Sequence, residues 1–195
     1  MATTRGRPRS FDRSAALDKA VQMFWRRGYE GTSVRDLAEE LHIGMPSLYS
    51  AFGGKQQLFA EALDAYDKKY GGFLDRALAE EPTAERAVTR VLREAPERYT
   101  RRGLPSGCLV VSGDSGTDDP TVTRELRRMR AEKADAFAAK IRTDVAAGIL
   151  PADTDAAALG RYVMAVLSGI AQAARDGASR ESLRGTAEVA TRAWP

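Results

Sequence analysis

The chain has 195 residues, with 30 Lys and Arg against 27 Asp and Glu, a formal net charge of +3, and one Cys and one His. With 43% hydrophobic and 29% charged residues it can bury a core, so a disordered chain is excluded. A single Cys excludes an intrachain disulfide or a multi-cysteine zinc site, and a single His excludes a histidine metal cluster.

The N-terminus, MATTRGRPRSFDRS, is basic but lacks the apolar stretch of a secretory signal. No run approaches the roughly 18 apolar residues of a spanning helix, so a cytoplasmic protein with no membrane partner is expected. Between residues 1 and 13, Arg5, Arg7, Arg9 and Arg13 face only Asp12, so residues 1–9 read as a flexible basic arm.

Leu17, Ala20, Val21 and Phe24 recur at the spacing of one buried helix face, which predicts a first helix over about 12–27. Asp12 can cap its start, and Arg26-Arg27 followed by Gly28 suit its end. The second helix opens at TSVRDLAEEL, where Ser33 and Asp36 have capping-box spacing, Thr32 is the alternative cap, and Leu37, Ala38 and Leu41 face inward. HIG, residues 42–44, is a short turn. Pro46 belongs in the first turn of a third helix, where its missing N–H costs nothing, and Gly53-Gly54 stops that helix. A longer helix begins at KQQLF, from Lys55.

Beyond Glu81-Pro82 the helical period continues through TAERAVTRVLREAPERYTRR. GCLVVSG, residues 107–113, is apolar and ambiguous between strand and helix. A long helix follows with Pro120 in its first turn and Gly148 past its end. Then come DAAALGRYVMAVLSGIAQAARDG and SRESLRGTAEVATRAW. The expected class is all-α: a three-helix head over residues 10–54 and a larger helical body over residues 55–195.

Two helices at about 33–40 and 45–51, joined by a tight turn, form a helix-turn-helix, whose second helix enters the DNA major groove. Leu48 and Phe52 supply its inward face. Met45, Ser47, Tyr49 and Ser50 supply the outward face, where short side chains let the backbone approach the bases.

The stretch ALDKAVQMFWRRGYEGTSVRDLAEELHIGMPSLYSAFGGKQQLF resembles the DNA-binding head of the tetracycline-repressor (TetR) family. The resemblance rests on FWRRGYEGTSV, LAEEL, SLYSAF and KQQLF in the family's order and spacing, over about residues 10–60. It implies a homodimer with two heads, a helical ligand-binding body, and repression of genes relieved by an unidentified small molecule, with no cofactor. Its DNA-facing positions fall here on Ser33, Arg35, Gly44, Met45, Pro46, Ser47, Tyr49, Ser50 and Lys55. Arg35 suits a bidentate contact to guanine. Tyr49 and Lys55 suit phosphate, Lys55 with help from the start of its helix. The family often has a His before the aromatic that ends helix 3; this chain has Ala51.

RGRPR, residues 5–9, is similar to an AT-hook. It reads either as an arm for a narrow A·T-rich minor groove or as a solvated tail that attracts phosphate.

Tyr66, Tyr70, Phe73, Tyr99, Met129, Phe137 and Tyr162 are candidates to line a ligand pocket in the body, or equally to be ordinary core. The last two long helices carry many small residues, which permit close helix approach. Leu159, Val163, Val166, Gly169, Ile170 and Ala173 are the expected dimer interface. Two rival readings are an architectural DNA-binding protein that uses only the arm, and an enzyme with Cys108 as nucleophile. No catalytic residue set appears: Cys108 has no base near it in sequence, and His42 belongs to the head.

Overall fold

A computed structural model describes residues 12–195, so Arg5, Arg7 and Arg9 lie outside the described residues. Ten α-helices and one π-helical segment follow one another, and there is no strand among the described residues.

Helix α1 spans Arg13–Arg27. Asp12 caps it by accepting hydrogen bonds from the N–H groups of Ser14 and Ala15, as the sequence suggests. Gly28 leaves it at φ 71°, in the left-handed region. Arg13 proves to be a structural residue and not part of the basic arm. Its guanidinium bonds both oxygens of Glu61 at 2.7 Å and the Ala51 carbonyl, and lies 4.6 Å from the centre of the Phe52 ring.

Helix α2 is Val34–Leu41, and Ser33 and Asp36 form both halves of the expected capping box. His42 ends it at φ 55°, the one non-glycine residue at positive φ among those described. Helix α3 is Met45–Phe52, with Pro46 in its first turn and Gly53 left-handed at its end. Helix α4 is Lys55–Tyr66. Val21, Phe24, Leu37, Leu41, Leu48, Phe52, Leu58, Phe59 and Leu63 are all almost fully buried and form one core across α1–α4. Phe24, Tyr29 and Phe59 meet there as a ring cluster, two of the pairs edge-to-face.

The expected longer helix from Lys55 is interrupted. A π-helical segment, Asp67–Gly71, separates α4 from α5, Phe73–Glu80. Gly71 lets the Asp67 carboxyl lie against the backbone there: a Cβ at this position would stand 2.2 Å from Asp67 Oδ1 and turn that side chain aside. Helix α6, Ala84–Tyr99, keeps Pro96 inside its last turn. The ambiguous GCLVVSG stretch is one helical turn, α7, Leu109–Ser112. Helix α8 is Pro120–Ala146, α9 is Ala156–Arg175 and α10 is Arg180–Arg192.

Helices α5, α6, α9 and α10 share a second core, built on Phe73, Leu92, Val163, Leu167, Ile170 and Leu183. The two cores touch at Cys108, which packs against both. Helix α9 is long and apolar enough, by length and composition, to cross a bilayer, against the expectation that no such run exists. One face of it is instead packed into the body core, where Val163, Leu167 and Ile170 have essentially no exposed surface.

Gly160 is spent inside the chain: a Cβ there would sit 2.5 Å from the Ala134 carbonyl oxygen. Its smallness seats α9 on α8 within one molecule.

Candidate DNA-binding face and effector cavity

The local chemistry of α3 decides which of its side chains are free. Leu48 and Phe52, four residues apart, take the inward positions and are buried. Gly44, Met45, Pro46, Ser47, Tyr49 and Ser50 are all exposed. Met45 and Tyr49 are each 52% exposed, unusual for large apolar side chains with a core within reach. One polar-and-aromatic face therefore projects from the head without a partner in this chain.

The neighbouring positions join that face unequally. Arg35 points outward, with 84% of its side chain exposed, and is tethered only to Glu39 at 3.1 Å, one turn along α2. An exposed pair of this kind is worth a few tenths of a kcal/mol, about 0.3–0.5, so Arg35 is readily released to another acceptor. Ser33 is more committed. Its hydroxyl donates to Asp36 at 2.7 Å and accepts the Asp36 N–H at 3.0 Å. The Ser33 hydroxyl and the Ser33 N–H, which donates to the same carboxylate at 3.0 Å, hold the Asp36 carboxyl below its ordinary range.

Lys55 is the first residue of α4, and its ammonium sits 4.0 Å from the centre of the Tyr29 ring. The Tyr29 pKa is raised, first by burial and then by the facing charge of Asp119. Asp119 in turn caps α8, accepts from Gln56 Nε2 at 3.3 and 3.4 Å, and stands beside the Tyr29 hydroxyl. Its carboxyl is held below its usual value, first by the Val122 backbone N–H. The start of α4 is thus tied to the start of α8. Sequence reasoning missed this link, because Gln56 and Asp119 stand 63 residues apart and no spacing in the chain pairs them.

A second link joins the end of α1 to α7 and α9. Arg175, the last residue of α9, donates to the carbonyls of Trp25 and Arg26 at 3.2 Å and to Ser112 Oγ at 3.1 Å. The Tyr29 N–H donates to the Gly113 carbonyl at 2.9 Å.

In the body, Tyr66, Tyr70, Phe73, Tyr99 and Met129 line one small cavity, together with Cys108, Val110, Val111, Arg130 and Lys133. Two of the expected lining residues are elsewhere. Phe137 is buried in the body core, 1% exposed, because its place on α8 turns it toward α9. Tyr162 faces α10, where its hydroxyl donates to the Ala190 carbonyl at 3.2 Å. Every cation at the cavity is already paired: Arg130 with Asp114 at 2.8 Å, and Lys133 with Asp75 at 2.8 Å and Asp67 at 3.4 Å. Burial pushes the Cys108 thiol upward despite a bond to Tyr66, so it is a poor nucleophile at neutral pH.

Helices α9 and α10 leave an open apolar groove on their outer side, lined by Tyr162, Val166, Gly169, Gly185 and Val189. Val189 is 58% exposed, and nothing lies within 4 Å of where a Gly169 Cβ would stand. The expected interface residues therefore divide. Val166, Gly169 and Ala173 retain surface, while Val163 and Ile170 have none; Ile170 only backs the groove from within the core. Leu159 packs toward Ile141 and Ala84 in a third small cluster. The helical period alone could not divide the stripe, since α9 presents apolar residues on both sides.

Comparison with known proteins places the geometry in context. Residues 16–62 match the family described as bacterial regulatory proteins, tetR family. Residues 84–189 match the tetracyclin repressor-like C-terminal domain. The HTH-type transcriptional repressor ComR of Escherichia coli (strain K12) is 32% identical, over 98% of this chain and 93% of its own. The HTH-type transcriptional repressor BdcR of the same organism is 30% identical, over 95% and 90%. A solved cysteine mutant of the TetR family regulator CifR, in complex with 26-bp double-strand operator DNA, is 42% identical. It covers 97% of this chain and 100% of its own, with a TM-score of 0.90.

Proposed function

The chain belongs to the tetR family of bacterial regulatory proteins, and from that premise we propose that it represses transcription as a homodimer on a palindromic operator. A small molecule entering the body releases it. The observation that carries this reading is the exposed face of α3. Met45, Ser47, Tyr49 and Ser50 project together, between an outward Arg35 and the Lys55 at the start of α4.

We divide the chain into an arm over residues 1–9, a head over 10–54 and a body over 55–195. Arg5, Arg7 and Arg9 add phosphate or minor-groove contacts. Arg35 reads a guanine edge, and Tyr49 and Lys55 hold phosphate. Ser33, whose hydroxyl is spent on the capping box, positions α2 and leaves base reading to its neighbours. The cavity between the cores takes the effector, and the groove of α9 and α10 takes the second copy. Acting on DNA places the protein in the cytoplasm.

The regulator reading is favoured over catalysis by the separation of the only two candidate groups. His42 stands in the turn between α2 and α3, whereas Cys108 lies against the body cavity with its thiol raised by burial.

Release follows from linkage: an effector that binds better to a state with misplaced heads weakens operator binding by the same factor. The test is selection of bound sequences from random DNA, then release by candidate small molecules. A discrete palindromic site is expected. Sequence-independent footprints overturn the reading in favour of an architectural protein.

A further inference from the structure

The cavity has free space for only about 40 Å³. That holds roughly a single water, against the roughly 300 Å³ or more of an ordinary ligand pocket. Any occupant larger than water therefore moves a wall. Tyr66, Tyr99 and Leu167 are buried side chains of long helices and resist displacement. Helix α7 is one turn long, lacks a side-chain cap, and supplies Val110 and Val111 to the cavity, with Cys108 just before it. A single turn has almost no stability of its own and keeps its place through what holds it.

Two arginines hold it. On the cavity side, Arg130 donates to the Val110 carbonyl at 2.7 Å and pairs with Asp114, just past the end of α7. On the far side, Arg175 bonds Ser112 Oγ and the last carbonyls of α1, at Trp25 and Arg26. Those carbonyls are left unpaired by the end of the helix and carry its negative pole, which suits a guanidinium. Next to this contact the Gly113 carbonyl takes the Tyr29 N–H, two residues beyond α1. The left-handed turn of Gly28 brings the backbone of α1's end onto Ser112 and Gly113. Gly107, left-handed at φ 83°, keeps the loop before α7 pressed on α9: a Cβ there would lie 2.8 Å from the Ala171 carbonyl.

We propose that Arg175 is a positioning residue that fastens the DNA-binding head to α7, and that α7 carries cavity occupancy to the head. This rests on the regulator reading above. A wall displaced by an occupant takes Ser112 and Gly113 with it. Arg175 then pulls on Trp25 and Arg26, the last turn of the helix against which α4 and its Lys55 pack. Arg175→Met keeps the side-chain stem and removes all three bonds. Arg175→Lys keeps the charge without the planar fork, and so retains part of the contact.

The test needs no effector, because a larger wall residue stands in for one. Operator affinity is measured for the full chain, Val111→Phe, Arg175→Met and the double variant. Val111→Phe is expected to weaken binding by at least about five-fold, the lower end of ordinary allosteric coupling. In the Arg175→Met background the same change is expected to shift affinity less than about two-fold, a non-additive pair. Should Val111→Phe not fold, Val111→Ile carries the same comparison. Equal ratios in both backgrounds overturn the proposal.

A second reading uses the DNA-free protein. Hydrogen exchange of the Tyr29 amide is expected to speed up in Arg175→Met and to recover partly in Arg175→Lys. Unchanged exchange overturns the fastening role. If the full chain binds no DNA while Arg175→Met still frees the Tyr29 amide, the regulator reading fails and the fastening stands.

Discussion

Lys55 Nζ stands 4.0 Å from the centre of the Tyr29 ring, so the cation that opens α4 rests on an aromatic ring of the first core. The ring holds the ammonium at the head surface, a few residues from Tyr49, whose ring packs against Gly54. A cation held in this way meets a phosphate without much further ordering of its flexible stem.

The proposed roles of base reading and backbone holding are separable on this face. Lys55→Ala is expected to weaken all DNA sequences nearly equally and to reduce the log–log salt slope by about one per half-site. Arg35→Ala is expected to relax preference at one base pair per half-site, by about 1–3 kcal/mol, and to spare nonspecific binding. Titrations on wild-type and singly substituted operators at several salt concentrations distinguish the two. A change of base preference in Lys55→Ala, with a uniform loss in Arg35→Ala, reverses the assignment.

Two glycines of α9 have opposite duties. Gly160→Ala places a methyl 2.5 Å from the Ala134 carbonyl, so α8 and α9 must separate. Overpacking of this kind costs about 1–3 kcal/mol, which lowers the melting temperature. Gly169→Ala meets open space inside the helix and is expected to raise stability by about 0.5–1 kcal/mol, the ordinary gain of alanine over glycine in a helix interior. Gly169→Arg, on the outer groove, is expected to yield monomers at micromolar concentration by light scattering. A dimer that survives this change places the interface elsewhere.

The tie between α4 and α8 depends on the charge of Asp119. Its folded-state carboxyl is held below 3.8 by the Val122 and Thr121 N–H groups and by Gln56. A lowered folded pKa means the contribution is complete above the unfolded value, and is lost as pH falls through the lowered folded value. Asp119→Asn is therefore expected to be less stable than the parent at pH 6, with the gap closing below about pH 4. Urea midpoints across that range measure it. A gap that persists in acid shows that Asp119 works through shape alone.

Removing residues 1–9 tests the arm. Three arginines leave with them, and loss of three phosphate contacts flattens the log–log salt slope by roughly 2.7. A loss confined to operators with A·T-rich flanks supports minor-groove reading. An unchanged slope means the segment takes no part in binding.

Much of this molecule was legible residue by residue, and what was legible is local. The cap of Asp12, the Ser33–Asp36 box, Pro46 in a first turn and the stops at Gly28 and Gly53 are all contacts within four residues. Backbone geometry alone dictates such contacts, so sequence spacing suffices to read them. The inward placement of Leu48 and Phe52 follows from helical period in the same way. GCLVVSG is ambiguous in sequence because four consecutive apolar side chains, Cys108 to Val111, satisfy strand and helix alike; packing against α1, α4, α8 and α9 makes it a helical turn.

Tertiary structure decided whatever depends on which neighbour arrives. Helix α9 is apolar most of the way round, and only the placement of α8 and α6 turns Val163 and Ile170 inward and leaves Gly169 open. Phe137 and Tyr162 left the cavity for the same reason. The long-range ties join residues 63 and 150 positions apart: Gln56 with Asp119, which links α4 to α8, and Arg175 with Trp25, which links α9 to the head. Charged and amide side chains pair with whatever acceptor the fold delivers, and no spacing in the chain encodes that delivery.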